Sequence, residues 1–104
     1  MKEITALDLK NKLDNREDFI LVDVRRPDEL TICKIDGSMH IEMNDIPAQL
    51  DNLDQAKEYV IYCRSGMRSA NVVHFMTQNN FDATNLKGGI LAWIDDVEPN
   101  KQKY

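Results

Sequence analysis

Tyr62-Cys63-Arg64-Ser65-Gly66-Met67-Arg68-Ser69 decides how the rest of this 104-residue chain is read. The apolar run before it, Tyr59-Val60-Ile61-Tyr62, has the length and content of a short buried strand. The stretch after it, Ser69-Ala70-Asn71-Val72-Val73-His74-Phe75-Met76, reads as a helix. A cysteine is thereby placed at the carboxyl end of a strand, in a tight loop with two arginines, just ahead of a helix N-terminus. Each feature favours an anion. The first N–H groups of a helix have no intrahelical partner, and nearby cations push a thiol toward thiolate. Cys63 is therefore the candidate nucleophile, and its loop a candidate anion site.

The flanking segments repeat the pattern of strand, turn and helix. Phe19-Ile20-Leu21-Val22-Asp23-Val24 is a continuous apolar run ending in a carboxylate, as in a parallel strand buried on both faces. Arg25-Arg26-Pro27-Asp28-Glu29-Leu30 turns into a helix start, with Pro27 suited to the first turn. Upstream, Thr5 caps a short amphipathic helix with Leu7, Leu9 and Leu13 on its apolar side. Downstream, Lys34 to Ser38 is a turn, and Met39-His40-Ile41-Glu42-Met43 alternates as a short strand. Asn44 or Asp45 caps a helix running to Leu53. Asn79-Asn80 stops the helix after the cysteine loop, because Asn tolerates the left-handed conformation. Phe81 to Leu86 is a last strand, Gly88-Gly89 a tight turn, and Ile90-Leu91-Ala92-Trp93-Ile94 opens a final helix ended by Glu98-Pro99-Asn100. Strands alternating with helices imply an α/β fold: a central parallel sheet with helices on both faces. Ligands of such sheets bind at the carboxyl ends of strands, where Asp23-Val24-Arg25 and Cys63 both fall.

The length allows one domain, residues 1–104, with its core at about 4–98 and residues 99–104 expected as a frayed tail. A net charge of −5 disfavours nucleic acid or a membrane surface as a general partner, so an anionic substrate must be drawn in by local charge. The first residues carry charges where an apolar leader would sit, and no run approaches the roughly 18 apolar residues of a membrane span. A cytoplasmic location is expected. The only cysteines, Cys33 and Cys63, lie in different segments and have neither a disulfide-framework nor a zinc-ligand spacing. No metal or other cofactor is expected. Oligomeric state is left open.

Three segments in order resemble the rhodanese-homology domain family, specifically its stand-alone single-domain sulfurtransferases. Leu21-Val22-Asp23-Val24-Arg25-Arg26-Pro27-Asp28-Glu29 resembles the family's D-V-R-x-x-x-E segment. Val60 to Ser69 resembles its active-site strand and loop, and Leu86-Lys87-Gly88-Gly89-Ile90-Leu91-Ala92-Trp93 its G-G-x-x-x-W closing signature. The resemblance covers nearly the whole chain. One stretch departs from it: Cys33-Lys34-Ile35-Asp36-Gly37-Ser38 stands where the family has G-H-I-P-G-A, and only Ile35 and Gly37 match.

The resemblance implies a rhodanese-like fold and a sulfurtransferase. Sulfane sulfur would pass from thiosulfate or a persulfide to cyanide, a thiol or a thiol protein through a persulfide on Cys63. Arg64, Ser65, Gly66, Met67, Arg68 and Ser69 would form the cradle for the outer sulfur. Arg64 and Arg68 would also lower the thiol pKa and bind the anionic donor. Asp23, Arg25 and Glu29 are assigned structural roles near the site, with Arg25 and Glu29 at an ion-pair spacing. Cys33 is either a resolving thiol for Cys63 or a partly buried spectator. Two alternatives use the same residues. One is a sulfur carrier serving a partner protein; the other is a phosphatase or arsenate reductase. Relatives of the latter kind have a C-x5-R loop, whereas Cys63 to Arg68 is C-x4-R, sized for one sulfur atom.

Overall fold

A computed structural model describes all 104 residues. Five strands, β1 (Glu3–Ile4), β2 (Ile20–Asp23), β3 (Met39–His40), β4 (Glu58–Tyr62) and β5 (Asp82–Leu86), form one sheet in the order β1-β5-β4-β2-β3. All four pairings are parallel. Five helices connect or flank them: α1 (Ala6–Asp14), α2 (Pro27–Leu30), α3 (Ile46–Gln49), α4 (Met67–Gln78) and α5 (Gly89–Asp96).

The alternation of β4 divides the core. Tyr59, Ile61 and Cys63 face one side with Val72, Val73 and Met76 of α4 and Ile46 of α3. Val60 and Tyr62 face the other, with Ala6 and Leu9 of α1 and Ile90, Trp93 and Ile94 of α5. With helices on both sides, β4 is apolar on both faces, which is why it reads as an unbroken hydrophobic run. Cys33 lies with the Val60–Tyr62 face and Cys63 with the opposite one; both are free thiols. The two thiols pack in separate halves of the core, which favours the spectator role for Cys33.

Several local expectations change. Glu3–Ile4 is an edge strand on β5, too short to give a period of its own. Thr5 caps α1, its side chain accepting from the Asp8 N–H, but Leu7 points to solvent and Ala6 takes the core position. The strand expected over Met39 to Met43 pairs only at Met39 and His40. The helix expected to run to Leu53 is a short α turn between two 3-10 turns, and Asp45 makes no side-chain cap. The expected tail contacts the domain through its last residue. Tyr104 packs on the core and carries hydrogen bonds to Glu29 and Arg25.

Candidate active site

β4 delivers Cys63 to the carboxyl edge of the sheet, beside the end of β2: Asp23 is in register with Tyr62, and the Val24 N–H donates to the Tyr62 carbonyl. The loop that follows is shaped from beneath by α5. The N–H groups of Ile90 and Leu91 donate to the carbonyls of Cys63 (2.9 Å) and Arg64 (3.2 Å). In a trans peptide the C=O and the following N–H point opposite ways. Binding these two carbonyls to α5 therefore turns the N–H groups of Arg64 and Ser65 away from α5, toward the open side of the loop. Only glycine fits where the helix meets the loop. A Cβ on Gly89 would lie 2.4 Å from the Arg64 carbonyl oxygen, and its φ is +62°.

At the other end of the loop Gly66 has φ +107°, a conformation that L side chains rarely adopt. It brings the Gly66 N–H to 3.1 Å from the Cys63 sulfur. The Ser69 N–H lies at 3.4 Å and the Ser69 hydroxyl at 3.3 Å from the same atom. Burial pushes the Cys63 thiol up, but hydrogen bonds from the Ser69 side chain and from the N–H groups of Ser69, Gly66 and Ser65 outweigh it, and the pKa lies below the usual thiol value. Cys63 is 1% exposed. The N–H groups of Arg64, Met67 and Arg68 donate to no carbonyl, so the loop keeps free donors for an added anionic atom.

The arginines are placed differently from the sequence expectation. Arg68 forms a two-pronged pair with Glu29, Nη1–Oε1 2.6 Å and Nη2–Oε2 2.9 Å. Arg64 is exposed, lies over the Tyr104 ring and donates to the Tyr104 main-chain oxygen. Hydrogen bonds, more than these cations, hold the thiol pKa down; Arg68 adds a smaller attraction at longer range. The Arg25–Glu29 pair does not form. Arg25, wholly buried, pairs with Asp23 (2.8 Å) and reaches only the backbone carbonyl of Glu29. An (i, i+4) spacing suited to a helix does not hold here, because Arg25 precedes α2, at a bend between β2 and that helix. The Ser65 and Met67 side chains face solvent, so these residues offer the site their backbone only.

Two site residues escape sequence reading. Asn85 on β5 bonds both Ser69 and Gly66, and Tyr104 bonds Glu29. Neither lies near Cys63 in the chain, and only the β4–β5 pairing or the fold of the tail brings them in. Beside Arg68 a cavity of about 180 Å³ is lined by Val24, Arg26, Glu42, Met43 and Asn44 as well.

A cysteine loop of this form on a five-strand parallel sheet has counterparts. Residues 5–96 match the family model described as Rhodanese-like domain. The chain belongs to the rhodanese-like family. Among relatives of this rhodanese-like domain, the Bacillus subtilis (strain 168) protein YtwF is 41% identical over 99 residues, 95% of this chain and 96% of its own. An Allochromatium vinosum protein named "Sulfurtransferase" is 35% identical over 94 residues, 89% of this chain and 88% of its own. The crystal structure of a rhodanese-like domain protein from Staphylococcus aureus superposes with a TM-score of 0.86 at 36% identity, covering 100% of this chain and 99% of that one. The chain folds as one domain of a sulfurtransferase family. No helix of this rhodanese-like domain is long and apolar enough to cross a membrane.

Proposed function

We propose that this rhodanese-like domain moves sulfane sulfur through a persulfide on Cys63. The observation that carries the reading is a sulfur atom receiving three donors while neighbouring loop N–H groups stay unpaired. The Cys63 thiolate attacks the outer sulfur of thiosulfate. A Cys63 S–S bond forms, the donor's S–S bond breaks, and sulfite leaves with the electron pair. The outer sulfur of the persulfide then carries the negative charge, and the free N–H groups of Arg64, Met67 and Arg68 stabilise it. Cyanide or a thiolate attacks that sulfur, leaves as thiocyanate or a new persulfide, and returns Cys63 as thiolate. A persulfide donor enters by the same first step, with a thiolate as leaving group.

The reaction needs no metal or cofactor beyond the covalent sulfur, and a reducing compartment such as the cytoplasm suits its two free thiols. The loop from Cys63 to Arg68 encloses four residues, which suits one sulfur rather than a tetrahedral oxyanion. Mass spectrometry after thiosulfate treatment tests the reading. One sulfur atom is gained on Cys63 and removed by cyanide, and Cys63→Ser gains none. Phosphate-ester turnover without sulfur loading would replace this reading with a phosphatase. Multiple turnover with small acceptors identifies an enzyme, whereas release only to a partner protein's thiol identifies a sulfur carrier.

A further inference from the structure

Asn85 is 3% exposed and makes two hydrogen bonds, each to a group that serves Cys63. Its Oδ1 accepts from the Ser69 hydroxyl at 2.6 Å. Its Nδ2 donates to the Gly66 carbonyl at 3.1 Å, and that carbonyl also accepts the first helical bond of α4, from Ala70. The Gly66–Met67 peptide is thereby fixed, and its N–H, on Met67, points away from β5.

The serine has one hydroxyl proton and two acceptors, Asn85 Oδ1 at 2.6 Å and the Cys63 sulfur at 3.3 Å. In the thiol state the proton rests on the shorter contact. Ser69 Oγ then accepts from the Cys63 S–H, and the chain runs thiol to serine to amide. When the thiol ionises, the sulfur has no proton to give and needs donors, so the serine proton turns to it and Asn85 Oδ1 gives it up.

We propose that Asn85 is a positioning residue for Cys63, holding the Ser69 hydroxyl and the Gly66–Met67 peptide in place and so setting the pH at which the sulfur ionises. The proposal rests on Cys63 being the nucleophile. The charged groups around the loop are Arg64 within it, Arg68 on α4 paired with Glu29 on α2, and the buried Asp23–Arg25 pair at the end of β2. His74 of α4 and both Asp82 and Lys87 at the ends of β5 are exposed. None of these side chains is hydrogen-bonded to the sulfur, so the Asn85–Ser69 route is the direct one.

The test follows Cys63 ionisation in a Cys33→Ala background, by thiolate absorbance and by alkylation rate against pH. Asn85→Asp places a carboxylate where the amide was. It holds the serine proton more tightly, cannot donate to the Gly66 carbonyl, and repels the thiolate. All three effects have the same sign, so the midpoint rises by about one pH unit and alkylation below the midpoint slows about tenfold. A merely structural Asn85 would lower the unfolding temperature and leave the midpoint in place, and that result overturns the proposal. The unmodified protein supplies a second reading that does not depend on a variant folding. In its NMR spectrum the Asn85 side-chain amide resonances move with the Cys63 titration and stay still in Cys63→Ser. Resonances that ignore the Cys63 midpoint also overturn the proposal. Neither readout requires a sulfur donor, so the proposal can fail while sulfur transfer stands, and the reverse.

Discussion

Ser69 carries more of the thiolate's stabilisation than any other side chain of the loop. It is fully buried at the start of α4 and turns both its N–H and its hydroxyl to the sulfur. Ser69→Ala leaves the N–H and removes the hydroxyl. The Cys63 pKa then rises toward the usual thiol value, because burial still opposes the charge and one opposing bond is gone. The alkylation rate at neutral pH falls by about tenfold or more, the effect of losing one hydrogen bond to a charged group. An unchanged rate would mean that the backbone N–H groups suffice. Cys63 and its loop could be read from eight consecutive residues because the chemistry is local: strand end, cysteine, glycine, helix start. The role of the arginines could not. Sequence puts Arg64 and Arg68 within reach of the sulfur, but Glu29, on α2, and Tyr104, at the far end of the chain, claim them in space.

Among the elements, α5 has the largest hold on the site without touching the sulfur. Its first turn binds the carbonyls of Cys63 and Arg64, and Gly89 permits the close approach. Gly89→Ala brings a methyl group within 2.4 to 2.7 Å of the Arg64 and Cys63 carbonyl groups at a φ of +62°. The backbone must give way, since neither neighbour is a movable side chain tip. A loss of about 2–4 kcal/mol in urea unfolding is expected, from overpacking and the left-handed conformation together. Sulfur loading of Cys63 should drop further than stability alone explains, because the loop N–H groups turn with their carbonyls. A variant that lost neither would show that the loop holds its shape without α5. The glycine pair was legible as a turn, but its contact with the loop is a tertiary fact. The same division holds through the fold. β2, β4 and α4 announce themselves because each is apolar over several residues. β1 and β3, two residues each, exist only because a neighbouring strand offers its edge. The 46–53 segment breaks into short turns even though Ile46, Leu50 and Leu53 all pack on the core.

Across the whole molecule the site is braced by charge that is nowhere near balanced by local sequence. The Glu29 carboxylate accepts from Arg68, from the Tyr104 hydroxyl at 2.5 Å and from the Arg26 N–H at 3.1 Å. It ties α2, α4 and residue 104 into one cluster at the rim of the loop. The Arg68 guanidinium first, and then the Tyr104 and Arg26 donors, overcome the cost of burial and hold the Glu29 carboxyl at about 2, against a usual 4.5. Tyr104, buried against that carboxylate, is pushed up to about 12, so its hydroxyl remains a donor throughout the neutral range. The folded-state pKa of Glu29 is depressed. Its contribution is therefore complete above the unfolded value of about 4.5 and disappears as pH falls from there to about 2. The size is on the order of 3–4 kcal/mol, because each pKa unit is worth about 1.4 kcal/mol. Glu29→Gln keeps part of the hydrogen bonding and removes the titration. Urea unfolding of both proteins from pH 7 to pH 2 should show the wild type ahead at neutral pH and the gap closing below about pH 4.5. Subtracting the two curves cancels the other carboxylates, which titrate in both. Tyr104→Phe removes only the hydroxyl and should narrow the same gap by about 1 kcal/mol. Curves that run parallel to pH 2 would mean that Glu29 does not hold this corner of the molecule, and that Arg68 stands free to face the sulfur.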